Sequence, residues 1–220
     1  SKGFKVDYLP VDKFGMINTS DLQNIISDKT SLVSVMFGNN EVGTIQPIQK
    51  IAKICHENKI MFHTDAVQAI GKIPIDVKEL DVDLLSISSH KLHGPKGIGA
   101  LYIKNGVKID PMILGGGQEF RLRSGTENVA NIVGFGQACE IAQNHLDKNI
   151  SWIKKLQSQL VKKVLDEIPQ VTFNGHVESR LDNNAHFTFL GVNGEDLIIK
   201  LDEYGIAAST GSACSVNTQK

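Results

Sequence analysis

The chain has 220 residues, 41% of them hydrophobic and 21% charged, an ordinary globular mix that excludes a wholly disordered polymer. Lys and Arg total 23 against 24 Asp and Glu, so the net charge of −1 lacks the basic excess of a nucleic-acid binder. No apolar run approaches the roughly 18 residues of a membrane span, and residues 1–7 lack the apolar stretch of a secretory signal. The first residue is Ser rather than Met, so further residues are expected upstream.

Residues 4–8 alternate like a strand, and Asn18, Thr19 and Ser20 offer caps for a short helix over 21–26. Residues 31–37 form a β-branched apolar run ended by Gly38-Asn39-Asn40, which reads as a buried strand. Pro47 can open a helix at its first turn, with Ile48, Ile51, Ala52 and Cys55 as its apolar stripe. Strands are predicted over 60–65, 82–88 and 97–103, the last after turn chemistry at Gly94-Pro95-Lys96-Gly97. Strands alternating with helices imply right-handed crossovers and an α/β fold with a mostly parallel sheet. Ligands in such sheets bind beyond the carboxyl ends of the strands, where Asp65 and Ser88-Ser89-His90-Lys91 fall.

The Gly-rich segment 105–127 reads as an active-site loop. Ser124 and Glu127 have capping-box spacing, so a helix is predicted from 127 to near 145. A second helix follows, with Ile153, Leu156, Leu160, Val161, Val164 and Leu165 on one face. Lys154, Lys155, Lys162 and Lys163 lie opposite, as a solvated face or a docking patch. Pro169 ends that helix; strands over 171–173 and 186–190, a helix over 196–204 and a short strand over 206–208 complete a small α+β unit.

The three Cys, at 55, 139 and 214, form no C-x-x-C, so neither a disulfide framework nor a metal site is expected, and a reducing compartment such as the cytoplasm is the default. Cys55 and Cys139 fall in helix-like patterns and read as packing residues. Cys214 sits in the small-residue run Ser209-Thr210-Gly211-Ser212-Ala213-Cys214-Ser215, where an accessible reactive thiol and a plain loop residue are equally open. His56, His63, His145 and His176 belong to no constellation and are taken as structural or surface residues.

A lone Lys is usually a surface residue, but Lys91 at a strand end, with Asp65 one strand earlier and Gln68 three residues on, meets the needs of pyridoxal phosphate. That cofactor takes a Lys for its Schiff base and a carboxylate facing the pyridine nitrogen. Arg123-Ser124-Gly125-Thr126-Glu127 is either an anion site at a helix start or a plain cap beside a surface Arg.

Asn39-Asn40-Glu41-Val42-Gly43, His63-Thr64-Asp65-Ala66-Val67-Gln68, Ser88-Ser89-His90-Lys91, Arg123-Ser124-Gly125-Thr126 and Ser212-Ala213-Cys214, in that order, resemble the cysteine desulfurases. These are the NifS/IscS-like branch of the class V aminotransferase-fold pyridoxal phosphate enzymes. The resemblance implies the aspartate aminotransferase-like fold, with residues 1–145 part of the large cofactor-binding domain and 146–220 part of the small C-terminal domain bearing the cysteine loop. It implies that Lys91 holds the cofactor and moves protons at the substrate Cα. Asp65 would pair with the pyridine nitrogen, Gln68 with the ring hydroxyl, Asn40 with that hydroxyl and the substrate, and Ser88 and His90 with the phosphate. Thr126 would reach the phosphate of a neighbouring subunit, hence a homodimer. Cys214 would attack the sulfur of L-cysteine, leaving L-alanine and a persulfide for an iron–sulfur scaffold protein or another acceptor. Family members continue beyond both ends, so the chain is expected to be a fragment, without the upstream phosphate turn and ring-stacking His and the downstream carboxylate-binding Arg. Selenocysteine lyase, a class V aminotransferase without a sulfur-transfer step, and a non-catalytic interaction piece are the alternatives.

Overall fold

β1 (Leu32–Met36), β2 (Met61–Asp65) and β3 (Leu84–Ser88) pair in parallel and in chain order in the structure, a computed structural model that describes residues 3–211. β4 (Gly99–Ile103) joins β3 antiparallel, Ser86 facing Leu101. Its direction follows from the linker: residues 89–98 are fewer than the dozen or so that a parallel crossover needs. The mostly parallel α/β sheet is as expected. Every Cβ pointing inward from β1 is apolar, Val33 and Val35, and both are buried beside Phe62 of β2.

α1 (Thr19–Ile25) starts where Asn18 accepts a hydrogen bond from the Ser20 N–H at 2.9 Å. α2 (Ile48–Glu57) buries Ile48, Ile51, Ala52 and Cys55 as predicted, and Ile54 besides. Pro47 is its N-cap rather than its first helical residue. α3 (Val77–Leu80), one turn capped by the Asp76 carboxylate, was not expected.

α4 (Val129–Glu167) is a single 39-residue helix, where two helices were predicted. Residues 145–153 contain neither Gly nor Pro, and without a breaker each added residue gains a backbone hydrogen bond without a new nucleation cost. The position between residues 145 and 146 lies inside this helix. Of the apolar face predicted for its second half, Ile153, Val161 and Val164 are half-buried, while Leu156, Leu160 and Leu165 are exposed. The four lysines opposite are exposed.

β5 (Val171–Phe173) and β6 (Phe187–Phe189) form a separate antiparallel pair, followed by α5 (Gly194–Glu203), whose first N–H groups are capped by Asn193. Three other expectations fail. Residues 4–8 form no strand: Phe4, Val6 and Tyr8 are exposed, and alternation makes a strand only where a neighbouring chain supplies the ladder. The Ser124–Glu127 capping box does not form, because the Ser124 hydroxyl donates to the Gly116 carbonyl at 2.8 Å and Asn128 caps α4 instead. Residues 206–208 follow α5 as irregular chain with no strand partner among the described residues.

Candidate active site

Parallel pairing brings the carboxyl ends of β1, β2 and β3 to one edge of the sheet, and most of the predicted site residues fall there. Asp65, the last residue of β2, is paired in register with Ser86 on β3 and with Met36 on β1. Its carboxylate accepts the Val67 N–H at 2.9 Å, so it begins the next turn while staying half-buried. Gln68 lies on that turn, half-buried, with its Oε1 accepting from the Lys72 ammonium at 3.0 Å.

Ser88 ends β3, and the chain winds at once into a 3₁₀ turn, Ser89–Leu92, that carries His90 and Lys91. Ser88 Oγ and His90 Nδ1 share a 2.8 Å hydrogen bond. With the hydroxyl donating, the ring keeps its N–H on Nε2, ready for an anion. Leu92 anchors the turn, buried against Phe135 and Ala138 of α4. Lys91 is half-buried, and its charge is felt at Lys72.

Asn40 is exposed on the loop beyond β1, whose course is set by Phe37 N–H donating to the Asp65 carbonyl at 2.8 Å. Thus Asn40, Asp65, Gln68, Ser88, His90 and Lys91 occupy one end of the sheet. Thr126 is exposed on the segment before α4 rather than at a strand end. Cys214 lies outside the described residues.

The thiols taken as packing residues fit that reading. Cys55 is fully buried, and burial, with Asp83 nearby, pushes its pKa up to about 11. Burial raises the Cys139 thiol as well. His63 is more embedded in the site than expected: it bridges Ser34 Oγ at 2.7 Å and Ser86 Oγ at 2.9 Å, two residues before Asp65 on the same face of β2. Burial draws its pKa down, against the pull of the Asp65 carboxylate. Lys72 was missed; its signal is the four-residue spacing from Gln68, which lets two side chains meet over one turn.

The donor set fits pyridoxal phosphate: an amine for the aldehyde, a carboxylate for the ring nitrogen, an amide for the ring hydroxyl, and a serine–histidine pair for the phosphate.

Residues 1–220 match the family described as aminotransferase class-V. The chain is 54% identical over 214 residues to "Cysteine desulfurase IscS" of Methanosarcina thermophila, covering 97% of this chain and 53% of that protein. It is 53% identical over 216 residues to the protein of the same name from Clostridium botulinum strain Hall, covering 97% of this chain and 54% of the other. Among solved structures, one titled "NIFS-LIKE PROTEIN" superposes with a TM-score of 0.89 at 45% identity, covering 95% of this chain and 57% of that one. The chain therefore spans about half the length of the curated relatives it matches. These likenesses bear out the resemblance read from the ordered motifs, and with it the fold. The chain belongs to the aminotransferase class-V family, in the company of proteins named cysteine desulfurases.

Proposed function

We propose that the protein containing this chain is a pyridoxal phosphate-dependent cysteine desulfurase. It takes sulfur from L-cysteine, leaves L-alanine, and carries the sulfur as a persulfide on Cys214. The observation that carries this reading is the meeting of Asp65, Gln68, the Ser88–His90 pair and Lys91 at the ends of two adjacent parallel strands. The names of the relatives favour desulfuration over amino transfer.

When bound, the cofactor supplies an electron sink for bonds broken at the substrate. The residues of this chain hold and orient it. Lys91 would hold the cofactor through its aldehyde and would carry a proton to and from the substrate Cα. The Asp65 carboxylate holds the proton on the ring nitrogen, which its Val67 N–H contact helps to aim. Gln68 donates to the ring hydroxyl, with Asn40 near that hydroxyl and the substrate. Ser88 and His90 hold the phosphate. Thr126 reaches the phosphate in the second subunit of a homodimer. Cys214, as thiolate, would attack the substrate sulfur; the carbon–sulfur bond would break as the sulfur–sulfur bond forms, its electron pair staying with the three-carbon fragment, which takes up a proton to become alanine. An iron–sulfur scaffold protein or another acceptor then receives the sulfur.

Residues 1–145 belong to the large domain and 146–220 to the small one, with α4 spanning the division. The cytoplasm is the proposed compartment, in keeping with free thiols at Cys55 and Cys139. No helix among the described residues is long and apolar enough to cross a membrane.

The test uses the intact gene product. With pyridoxal phosphate and cysteine it releases sulfide and alanine, and its relative rates on cysteine and selenocysteine separate this reading from selenocysteine lyase. Lys91→Ala loses the visible band of the lysine-bound cofactor, and Cys214→Ala loses sulfide release. Undiminished sulfide release by Cys214→Ala overturns the role given to that thiol.

A further inference from the structure

We infer that Lys72 is a positioning residue for the cofactor: its ammonium fixes the flip of the Gln68 amide so that the NH2 group, not the oxygen, faces the ring hydroxyl. The inference rests on the cofactor reading above and goes beyond it, because no family motif read from the sequence includes Lys72.

A glutamine amide has one accepting end and one donating end, and the two can exchange by a half-turn. An ammonium can only donate. Lys72 Nζ stands 3.0 Å from Gln68 Oε1, so the opposite flip would set two donors face to face. The turn that brings them together is tight. Ile70 and Ala69 both donate to the Ala66 carbonyl, at 2.9 and 3.0 Å, and Lys72 N–H donates to the Ala69 carbonyl at 3.0 Å. Gly71, at φ +70°, takes the left-handed conformation just before Lys72.

Both side chains are half-buried, so the pair is shielded from the water that makes an exposed pair of this spacing nearly worthless. Burial first, and the charge of Lys91 second, push the Lys72 pKa down. The Lys91 influence places this ammonium within electrostatic range of the amine that holds the cofactor. A surface lysine serving only solubility would show neither the half-buried acceptor nor that neighbour.

The test is a double-mutant cycle on the intact, cofactor-loaded protein, read by the dissociation constant of pyridoxal phosphate and by the visible spectrum. Lys72→Met raises the dissociation constant about tenfold, as expected for losing one charge-assisted contact in the chain of hydrogen bonds. In a Gln68→Ala background the same change leaves the dissociation constant where Gln68→Ala alone sets it, because the positioning acts through that amide, while the charge lost beside Lys91 moves only the pH midpoint. The pH midpoint of the visible band moves upward in Lys72→Met, since the ring oxygen loses its donor and the neighbouring proton is held more tightly. Lys72→Arg restores both readouts, which separates positioning from a fold defect.

Independent, additive effects of Lys72→Met and Gln68→Ala overturn the inference. So does a Lys72→Met protein that binds the cofactor and titrates like the parent. A parent protein with no visible band on adding the cofactor overturns instead the reading on which this one stands, and both fall.

Discussion

Replacing Arg180 by methionine removes a guanidinium that is only 5% exposed and has no carboxylate partner among the described residues. Its charge is met by oxygens and a ring. Nε donates to the His176 carbonyl at 3.0 Å, and one terminal NH2 group donates to Asn184 Oδ1 at 2.8 Å. The other donates to the Asn174 carbonyl, and the group stacks 4.0 Å from the centroid of the Phe173 ring. Burial without a counter-ion pulls its pKa down. Methionine fills much of the volume and contacts the ring, but it strands these acceptors.

Each buried acceptor left unmatched costs about 1–3 kcal/mol, partly offset because the guanidinium no longer has to be desolvated. The net loss expected for Arg180→Met is about 3 kcal/mol, or roughly 6–12 °C in Tm for a domain of this size. The effect reaches the site. Asn184, held by Arg180, donates from Nδ2 to the Glu41 carbonyl at 2.6 Å, next to Asn40. The same segment donates from Leu181 N–H to the Gly43 carbonyl at 2.9 Å, and Ile45 N–H donates to the Ser179 carbonyl at 2.8 Å. If Asn40 has the proposed place beside the substrate, loosening its turn raises KM more than it lowers kcat. Urea unfolding of the intact protein and steady-state kinetics read the two effects. A loss below about 1 kcal/mol, or an Arg180→Lys protein as stable as the parent, refutes the reasoning, because Lys cannot reproduce three contacts from one planar group.

Two further predictions follow from packing and charge. In Gly71→Ala the new methyl meets Leu92 Cδ2, and φ +70° is unfavourable for any side chain, so a loss of about 1–3 kcal/mol is expected in urea unfolding, with weakened cofactor binding because Leu92 seats the Lys91 turn; an unchanged midpoint contradicts this. The Lys104 ammonium, 2.5 Å from Asp81, holds the Asp81 carboxyl below its ordinary pKa, with His56 adding to the effect. A depressed folded-state pKa means that the stabilisation is complete above the unfolded-state value and disappears as pH falls through the folded one. Lys104→Met therefore loses a few tenths of a kcal/mol at neutral pH and nothing at strongly acid pH, the pair being exposed, and the Asp81 carboxyl titration by NMR moves up. A carboxyl midpoint that stays put sinks that assignment.

What could be read from residues alone was whatever a local pattern decides. The β-branched run of β1, the 3.6-residue stripe of α2 and the Asn18 cap each carry their cause within a few residues. Strand ends follow from the same patterns, and so Asp65, Ser88 and Lys91 were found together: once two strands run parallel as neighbours, their carboxyl ends must share an edge. Residues 4–8 mark the limit. Their alternation satisfies the strand pattern, yet Phe4 and Tyr8 are 75% and 88% exposed, because a strand is completed by a partner that no local pattern names. Ser124 and Glu127 fail for a related reason: a serine hydroxyl has several acceptors to choose among, and here the Gly116 carbonyl, eight residues back, wins over the helix.

Lys72 shows why the site was only partly legible. The sequence motifs select groups proposed to touch a cofactor, and groups for those tasks have few alternatives: no residue but lysine offers that amine, and only a carboxylate would hold the ring-nitrogen proton as firmly. The group proposed to orient Gln68 is under weaker chemical constraint, since any donor of suitable reach could fill that place. Its identity is decided by turn geometry, with the left-handed Gly71 just before it. Arg180 repeats the pattern at the other edge of the site, acting through Asn184 on the backbone beside Asn40. Residues proposed for contact are thus chosen by chemistry and stand out in the sequence, whereas Lys72 and Arg180, proposed to aim them, are placed by the path of the chain and become visible only with the fold.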